Sequence, residues 1–223
     1  MTIGAMHLEF RLLMDKADSG SAPAFLSTEI DLFLNAAIEK FITKRTFGGN
    51  PRKTGVEENQ KRRDDLRNLI KNYEAVPNQP NSSNKEGGQF VPLPKDYRHS
   101  LSEECVVKGA PTKKVPVKPL TYDRYTKVID DPFNTISPNV VYRLDYQGDK
   151  FELLSTGGVN KYYLRYISIP DPVSMGIGDA PFVNCSLAEH THREIVRMAV
   201  LEALENIQDP RYQSSKSELN EIE

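Results

Sequence analysis

The chain lacks tryptophan, carries only two cysteines, and has almost no excess of charge of either sign. Cys105 and Cys185 are too few for a disulfide framework or a four-ligand zinc site, so a reduced, cytosolic setting is the expected one. No uninterrupted apolar run is long enough to cross a bilayer. Met1 to Phe10 shows no basic leader followed by an apolar block, which predicts no secretory signal and makes the sequons at Asn81 and Asn184 chance matches. A net charge of −2 argues against a protein whose main task is gripping nucleic acid, because phosphate binding needs a Lys/Arg excess on the contacting face. With 223 residues, 27% of them charged and 38% hydrophobic, the composition is that of a soluble chain with material for one large domain or two small ones.

What is present is periodicity. From Thr28 to Arg45, the residues Ile30, Phe33, Leu34, Ala37, Ile38, Phe41 and Ile42 recur at three- and four-residue steps and share one helical stripe. Ser27 or Thr28 can cap its start, and Gly48-Gly49 follow its end. A second helix is predicted over Glu57 to Glu74, with a narrow stripe of Leu66, Leu69, Ile70 and Tyr73. Its first half is nearly all polar, with Glu57 and Glu58 four residues ahead of Lys61 and Arg62, an order that contributes about 0.3–0.5 kcal/mol per pair. A third helix is predicted over Leu187 to Ile207, with a Ser186/Glu189 capping box at its start and Asp209-Pro210 as its stop. Val196, Ala199, Val200, Ala203, Leu204 and Ile207 form one stripe, and Ile195, Met198 and Leu201 add a second apolar flank. The segment Ile3 to Asp15 fits helix or strand, with helix preferred.

Between the second and third helices the character changes. Pro77 to Gly88 reads as a flexible connector. Strand patterns follow at Glu104–Lys108, Lys114–Leu120 (weakened by Pro116 and Pro119), Val140–Tyr146, Lys150–Leu154 and Tyr162–Ile169. Gln147-Gly148-Asp149 suits a hairpin turn, and a short helix fits Tyr122 to Ile129, ended by Asp131-Pro132. The tail from Arg211 to Glu223 is polar and is read as mobile or ordered only by a partner. The expected fold is α+β: a helical layer formed by both ends of the chain, a small inserted antiparallel sheet, and a flexible C-terminal tail. The expected divisions are a helical part at 1–76, a loop at 77–89, a β-rich part at 90–172, a completing helix at 173–208 and a tail at 209–223.

Catalytic constellations are not evident. His190 and His192 could suggest a metal pair, but residues two apart on a helix point to nearly opposite sides. Asp130-Asp131 before a proline reads as a turn, and Glu103-Glu104 as a solvated strand start. Gly157-Gly158 lacks the Gly-Lys-Ser/Thr continuation of a phosphate loop, and Gly176-Ile177-Gly178 lacks the strand context of a dinucleotide fingerprint. Arg63, Arg67 and Lys71 would share a face of the second helix and are the candidate charged contacts for a partner or for DNA. A solvated face balanced by Asp64, Asp65, Glu57 and Glu58 is the plainer reading. Neither cofactor nor metal is expected, and the chain is not read as an enzyme.

Several segments, in order, carry a resemblance. They are Leu34-Asn35-Ala36-Ala37, Phe41-Ile42-Thr43-Lys44-Arg45, Phe47-Gly48-Gly49, and the polar run from Glu58 to Arg67. Pro92-Leu93-Pro94-Lys95-Asp96-Tyr97 and Asp130-Asp131-Pro132-Phe133-Asn134 follow. The last are Glu189-His190-Thr191-His192-Arg193-Glu194-Ile195-Val196, Leu204-Glu205-Asn206-Ile207 and Arg211-Tyr212. Together, from Ile30 to Tyr212, these resemble the connector or ring proteins of crAss-like bacteriophages, a group similar to the portal adaptors of short-tailed phages. The resemblance implies a virion structural protein at the head-tail junction, a homo-oligomeric ring of twelve copies. Such a ring docks beneath the portal protein, contacts other connector or tail proteins, extends the DNA channel without sequence-specific binding, and serves as a platform for the tail. It implies no membrane contact. Ile195, Met198, Leu201, Arg211 and Tyr212 are the candidate subunit-interface residues. A tail-barrel or second-layer ring protein, and a DNA-binding accessory protein, are the alternatives.

Overall fold

A computed structural model describes residues 1–14, 25–47, 56, 59–78, 88–108, 113–131, 136–137, 139–146, 148–176 and 181–221. The chain forms two compact units, residues 1–69 with 170–223, and residues 70–169.

The first unit is helical. Helix α1, Ile3–Leu13, starts at Thr2, whose hydroxyl accepts from the Ala5 N–H. It buries Ile3, Met6 and Phe10 at three- and four-residue steps, which settles the helix-or-strand ambiguity of this segment. Helix α2, Ser27–Phe47, buries Ile30, Leu34, Ala37, Ile38, Phe41 and Ile42, the stripe predicted from periodicity. The glycines expected past its end lie outside the described residues. Helix α5, His192–Asn206, packs its stripe of Val196, Ala199, Val200, Ala203 and Leu204 in the same core. Between α1 and α2, the rings of Phe10, Phe25 and Phe33 meet at centroid distances of 5.7–6.2 Å. The two-stranded hairpin β8–β9, Ser174–Met175 and Phe182–Val183, belongs to this unit as well. It is tied to α2 by Asn35, which donates to the Val173 carbonyl and accepts from the Val173 N–H.

Three expectations for this unit are corrected. The second helix, α3, is only Gln60–Leu66, capped by Asn59 through the Arg62 N–H; the chain then enters strand β1, Ile70–Ala75. Leu66, Leu69, Ile70 and Tyr73 imitate a helical stripe, but long-range pairing of β1 with another strand overrides the local pattern. The ion pairs expected from Glu57 and Glu58 lie outside the described residues. The Ser186/Glu189 capping box does not form. A 3-10 turn at Glu189–Thr191 precedes α5, and the Glu189 carboxylate accepts from the Met1 ammonium at 2.8 Å. The C-terminal segment, expected as a polar tail that is mobile or ordered only by a partner, forms helix α6, Tyr212–Glu221.

The second unit overturns the expected small antiparallel sheet, although the α+β class stands. It is a large, curled, seven-stranded sheet in the order β1-β7-β3-β4-β5-β6-β2. The remaining strands are β2 Gly88–Pro92, β3 Tyr97–Val107, β4 Lys114–Leu120, β5 Val141–Tyr146, β6 Lys150–Leu154 and β7 Val159–Ser168. The sheet is mixed, because β4 and β5 run parallel across the crossover helix α4, Tyr122–Asp130. Pro116 and Pro119 are tolerated because β4 changes partner half-way. Its first half pairs with β3 and its second with β5, so neither proline lies between two strands.

Curl has an identifiable source. The β3–β7 ladder shifts register at three places, and each such irregularity bends a strand and increases its twist. The chain leaving edge strand β1 meets edge strand β2 at the opposite end of the order, where the Asn78 N–H donates to the Phe90 carbonyl at 2.8 Å. The inner face carries Val91, Cys105, Val115, Val117, Val141, Phe151, Leu153, Tyr162 and Leu164, all buried. On the outer face, Tyr142, Leu144 and Leu154 are covered by Tyr125 and Val128 of α4. Of the expected connector at Pro77–Gly88, residues 79–87 lie outside the described residues.

Because Val196 and Leu204 are buried among their own unit's helices, Val196→Asp or Leu204→Asp places an uncompensated carboxylate in the core. Each is expected to lower stability by about 3 kcal/mol. Urea unfolding midpoints equal to wild type would contradict that packing.

Candidate assembly surfaces

A charged network in the helical unit decides which of its surfaces are available. Arg45, near the end of α2, is 5% exposed and meets Asp65 of α3 through Nε at 2.8 Å. Its Nη2 donates to both oxygens of Glu194 on α5, at 2.9 and 2.8 Å. The His190 ring donates from Nε2 to the other Asp65 oxygen at 2.8 Å. The guanidinium also lies over the Phe41 ring, 4.8 Å from its centroid. His192 points elsewhere: its Nε2 donates to the Leu187 carbonyl at 3.0 Å. The two histidines therefore serve different protein partners. Among the described residues, no group of three or more His, Cys, Asp or Glu side chains is arranged to hold a metal ion.

A second buried charge cluster sits inside the curled sheet. Arg143 on β5 pairs with Glu103 on β3, and the Tyr162 hydroxyl donates to Glu103 at 2.7 Å. Arg143 stacks over Phe151 at 4.1 Å and reaches Asp145 at 3.2 Å. Burial, with Glu103 beside it, raises the Tyr162 phenol far above its ordinary range. Glu103 is thus a structural partner inside the sheet, not the solvated strand start expected from sequence. Burial likewise pushes the Cys105 thiol up to about 11.

The outer face of the same sheet carries a groove of about 440 Å³ crossed by Glu74, Glu104, Lys114, Tyr163 and Arg165. Its charges are largely matched to each other: Lys114 donates to Glu104 at 3.0 Å and lies over the Tyr163 ring, and Lys161 donates to Glu74 at 2.5 Å.

The expected contact residues fall in different settings. Arg63 and Arg67 are exposed, at the end of α3 and at its C-cap, but Lys71 is on strand β1, so the three do not share a helix face. Lys71 donates to Asp96 at 2.6 Å, and this bond holds the Asp96 carboxyl below its usual range. Ile195 is fully buried and Met198 is 7% exposed within their own unit. The second flank of α5 is apolar because that helix is covered from several sides by its own unit. Leu201 is half-buried and remains accessible. Arg211 folds back onto Asp209, donating to Oδ2 at 2.9 Å, and half-buried Tyr212 has the Lys216 ammonium over its ring. Leu8 and Leu12 of α1, Leu26 just ahead of α2, and Leu32 of α2 are each more than half exposed, and none was among the expected contact residues. The signal was present, since both helices carry leucines off the stripe that faces the core.

Comparison with known proteins now bears on these surfaces. The model for the phage tail ring protein 3/4 family matches residues 1–213. The chain belongs to this family of crAss-like phage ring proteins. Ring protein 4/5 of Bacteroides phage crAss001 is 27% identical over 220 residues, covering 90% of this chain and 91% of the relative. Ring protein 3 of the same phage is 30% identical over 156 residues, covering 60% of this chain and 65% of the relative. The family is one of virion ring structural proteins, which makes assembly surfaces the relevant sites. Among the described residues, no helix is long and apolar enough to cross a membrane.

Two outcomes test this geometry. Arg45→Ala leaves Asp65 buried without its cation and is expected to cost about 3–5 kcal/mol in urea unfolding, whereas exposed Arg63→Ala stays within about 0.5 kcal/mol of wild type. Comparable small losses would mean the Arg45 network is not buried. Cys105 is expected to resist a thiol reagent at pH 8 in the folded ring protein and to react at once in denaturant.

Proposed function

We propose that the protein is a ring subunit of the phage head-to-tail connector: twelve copies docked beneath the portal, extending the DNA channel and forming a platform for the tail. The match of the tail ring protein model to residues 1–213 carries this reading. The physical features are compatible with it. A net charge of −2 provides no general Lys/Arg excess to hold DNA that must slide through. Lys71 is already bonded to Asp96, which weakens the alternative of an accessory protein gripping DNA. Closed rings require each subunit to bury two different surfaces, one against each neighbour. Leu201, Arg211 and Tyr212 remain candidates at the edge of such contacts.

A second reading follows from the family being one of tail ring proteins. It places the ring in a further layer, stacked on other tail proteins and not on the portal itself. Direct binding to purified portal separates the two.

Quantitative mass spectrometry of purified virions is expected to find this protein and the portal in a ratio near one to one. Absence from the particle would sink the structural role, while presence at single-copy level would sink the ring.

A further inference from the structure

The chain passes between its two units twice, at Leu69–Ile70 and at Ile169–Pro170. Strand β1 begins at Ile70 and β7 ends at Ser168, and the two are antiparallel neighbours with Ile70 opposite Ile167. Both crossings therefore leave the sheet from the same end of adjacent strands. Two connections side by side permit bending about the line that joins them and resist twisting, and such bending is taken up by a few residues at the ends of elements.

One residue of the β2–β3 loop holds both strand ends. The Tyr97 N–H donates to the Pro94 carbonyl at 3.1 Å, closing a turn that presents Asp96. Asp96 Oδ2 accepts from the Lys71 ammonium at 2.6 Å, at the second residue of β1. Its Oδ1 accepts from the Tyr166 hydroxyl at 2.9 Å, near the end of β7. Its backbone carbonyl accepts from the Ile169 N–H at 2.7 Å, the last backbone donor before Pro170. A residue that precedes proline is also restricted to extended backbone, which stiffens this crossing. The Lys71 and Asp96 side chains are 51% and 35% exposed, and an ion pair that open adds little to global stability. What the three bonds do is fix where two strands end.

We propose that the two crossings form a hinge and that Asp96 is its stop, a positioning residue that ends the rigid part of the sheet unit at Lys71 and Ile169. Bending is then confined to Leu69–Ile70 and Ile169–Pro170. The inference does not depend on the ring reading.

The test compares the full chain with Asp96→Ala, and with Lys71→Met/Tyr166→Phe, which leaves the Pro94–Tyr97 turn intact. Both variants are expected to keep a cooperative thermal transition close to wild type. In hydrogen exchange, peptides spanning residues 66–73 and 164–171 are expected to exchange at least about five-fold faster, while those from β5 and β6 keep their wild-type rates. Unchanged exchange at the crossings, or acceleration spread evenly over the sheet unit, overturns the proposal. Spin labels at Leu32→Cys and Lys118→Cys, exposed positions in the two units, provide a second readout in a Cys185→Ser background. Adding Asp96→Ala is expected to broaden the distance distribution between the labels. Equal widths with and without Asp96 overturn the proposal as well.

Discussion

Arg45 cannot be buried alone. A guanidinium has no neutral form to retreat to, so its place near the end of α2 requires carboxylates on whatever packs beside it. Asp65 and Glu194 supply them from α3 and α5, segments far apart in sequence, and His190 holds Asp65 from the other side. The apolar stripes of α2 and α5 give these helices reason to associate. The charge network fixes which residues meet, because a slipped register would strand an ion in the core. The polar run of α3 takes its meaning from the same network: Asp65, apparently one of several surface acids, is buried.

The sheet unit solves a different problem. Seven strands with irregularities along the β3–β7 ladder curl until the chain beyond one edge strand bonds to the other edge, which leaves less open edge for unwanted pairing. The inner face is filled with apolar side chains and with the Arg143–Glu103–Tyr162 cluster. An interior packed in this way is a core.

Much of the helical unit is legible in the strong period-3.6 stripes of α2 and α5, and in the sheet unit the strand patterns at Lys114–Leu120 and Lys150–Leu154 match β4 and β6. Three parts were not legible, each for a physical reason. Strand β1 looked helical because its apolar residues continue the spacing of α3, and only pairing with β7 makes it a strand. The size of the sheet depends on order in space, in which β2 lies beside β6 and β1 beside β7, and local pattern does not encode that order. The candidate contacts were placed on α5 because two apolar flanks suggest a surplus. Of that second flank, Ile195 and Met198 are buried in their own unit and Leu201 is half-buried, a difference the apolar spacing alone does not encode. Resemblance over ordered segments identified the family correctly, since no catalytic pattern competed with it.

On the proposed reading, this chain is one of many identical subunits around an axis of the virion. Localised reconstruction of the tail vertex by electron cryo-microscopy tests it most directly. The account predicts a closed ring in which each repeat accommodates the α1–α2–α5 helices of one unit and the curled seven-stranded sheet of the other. A vertex with no ring into which these two units can be placed would contradict it.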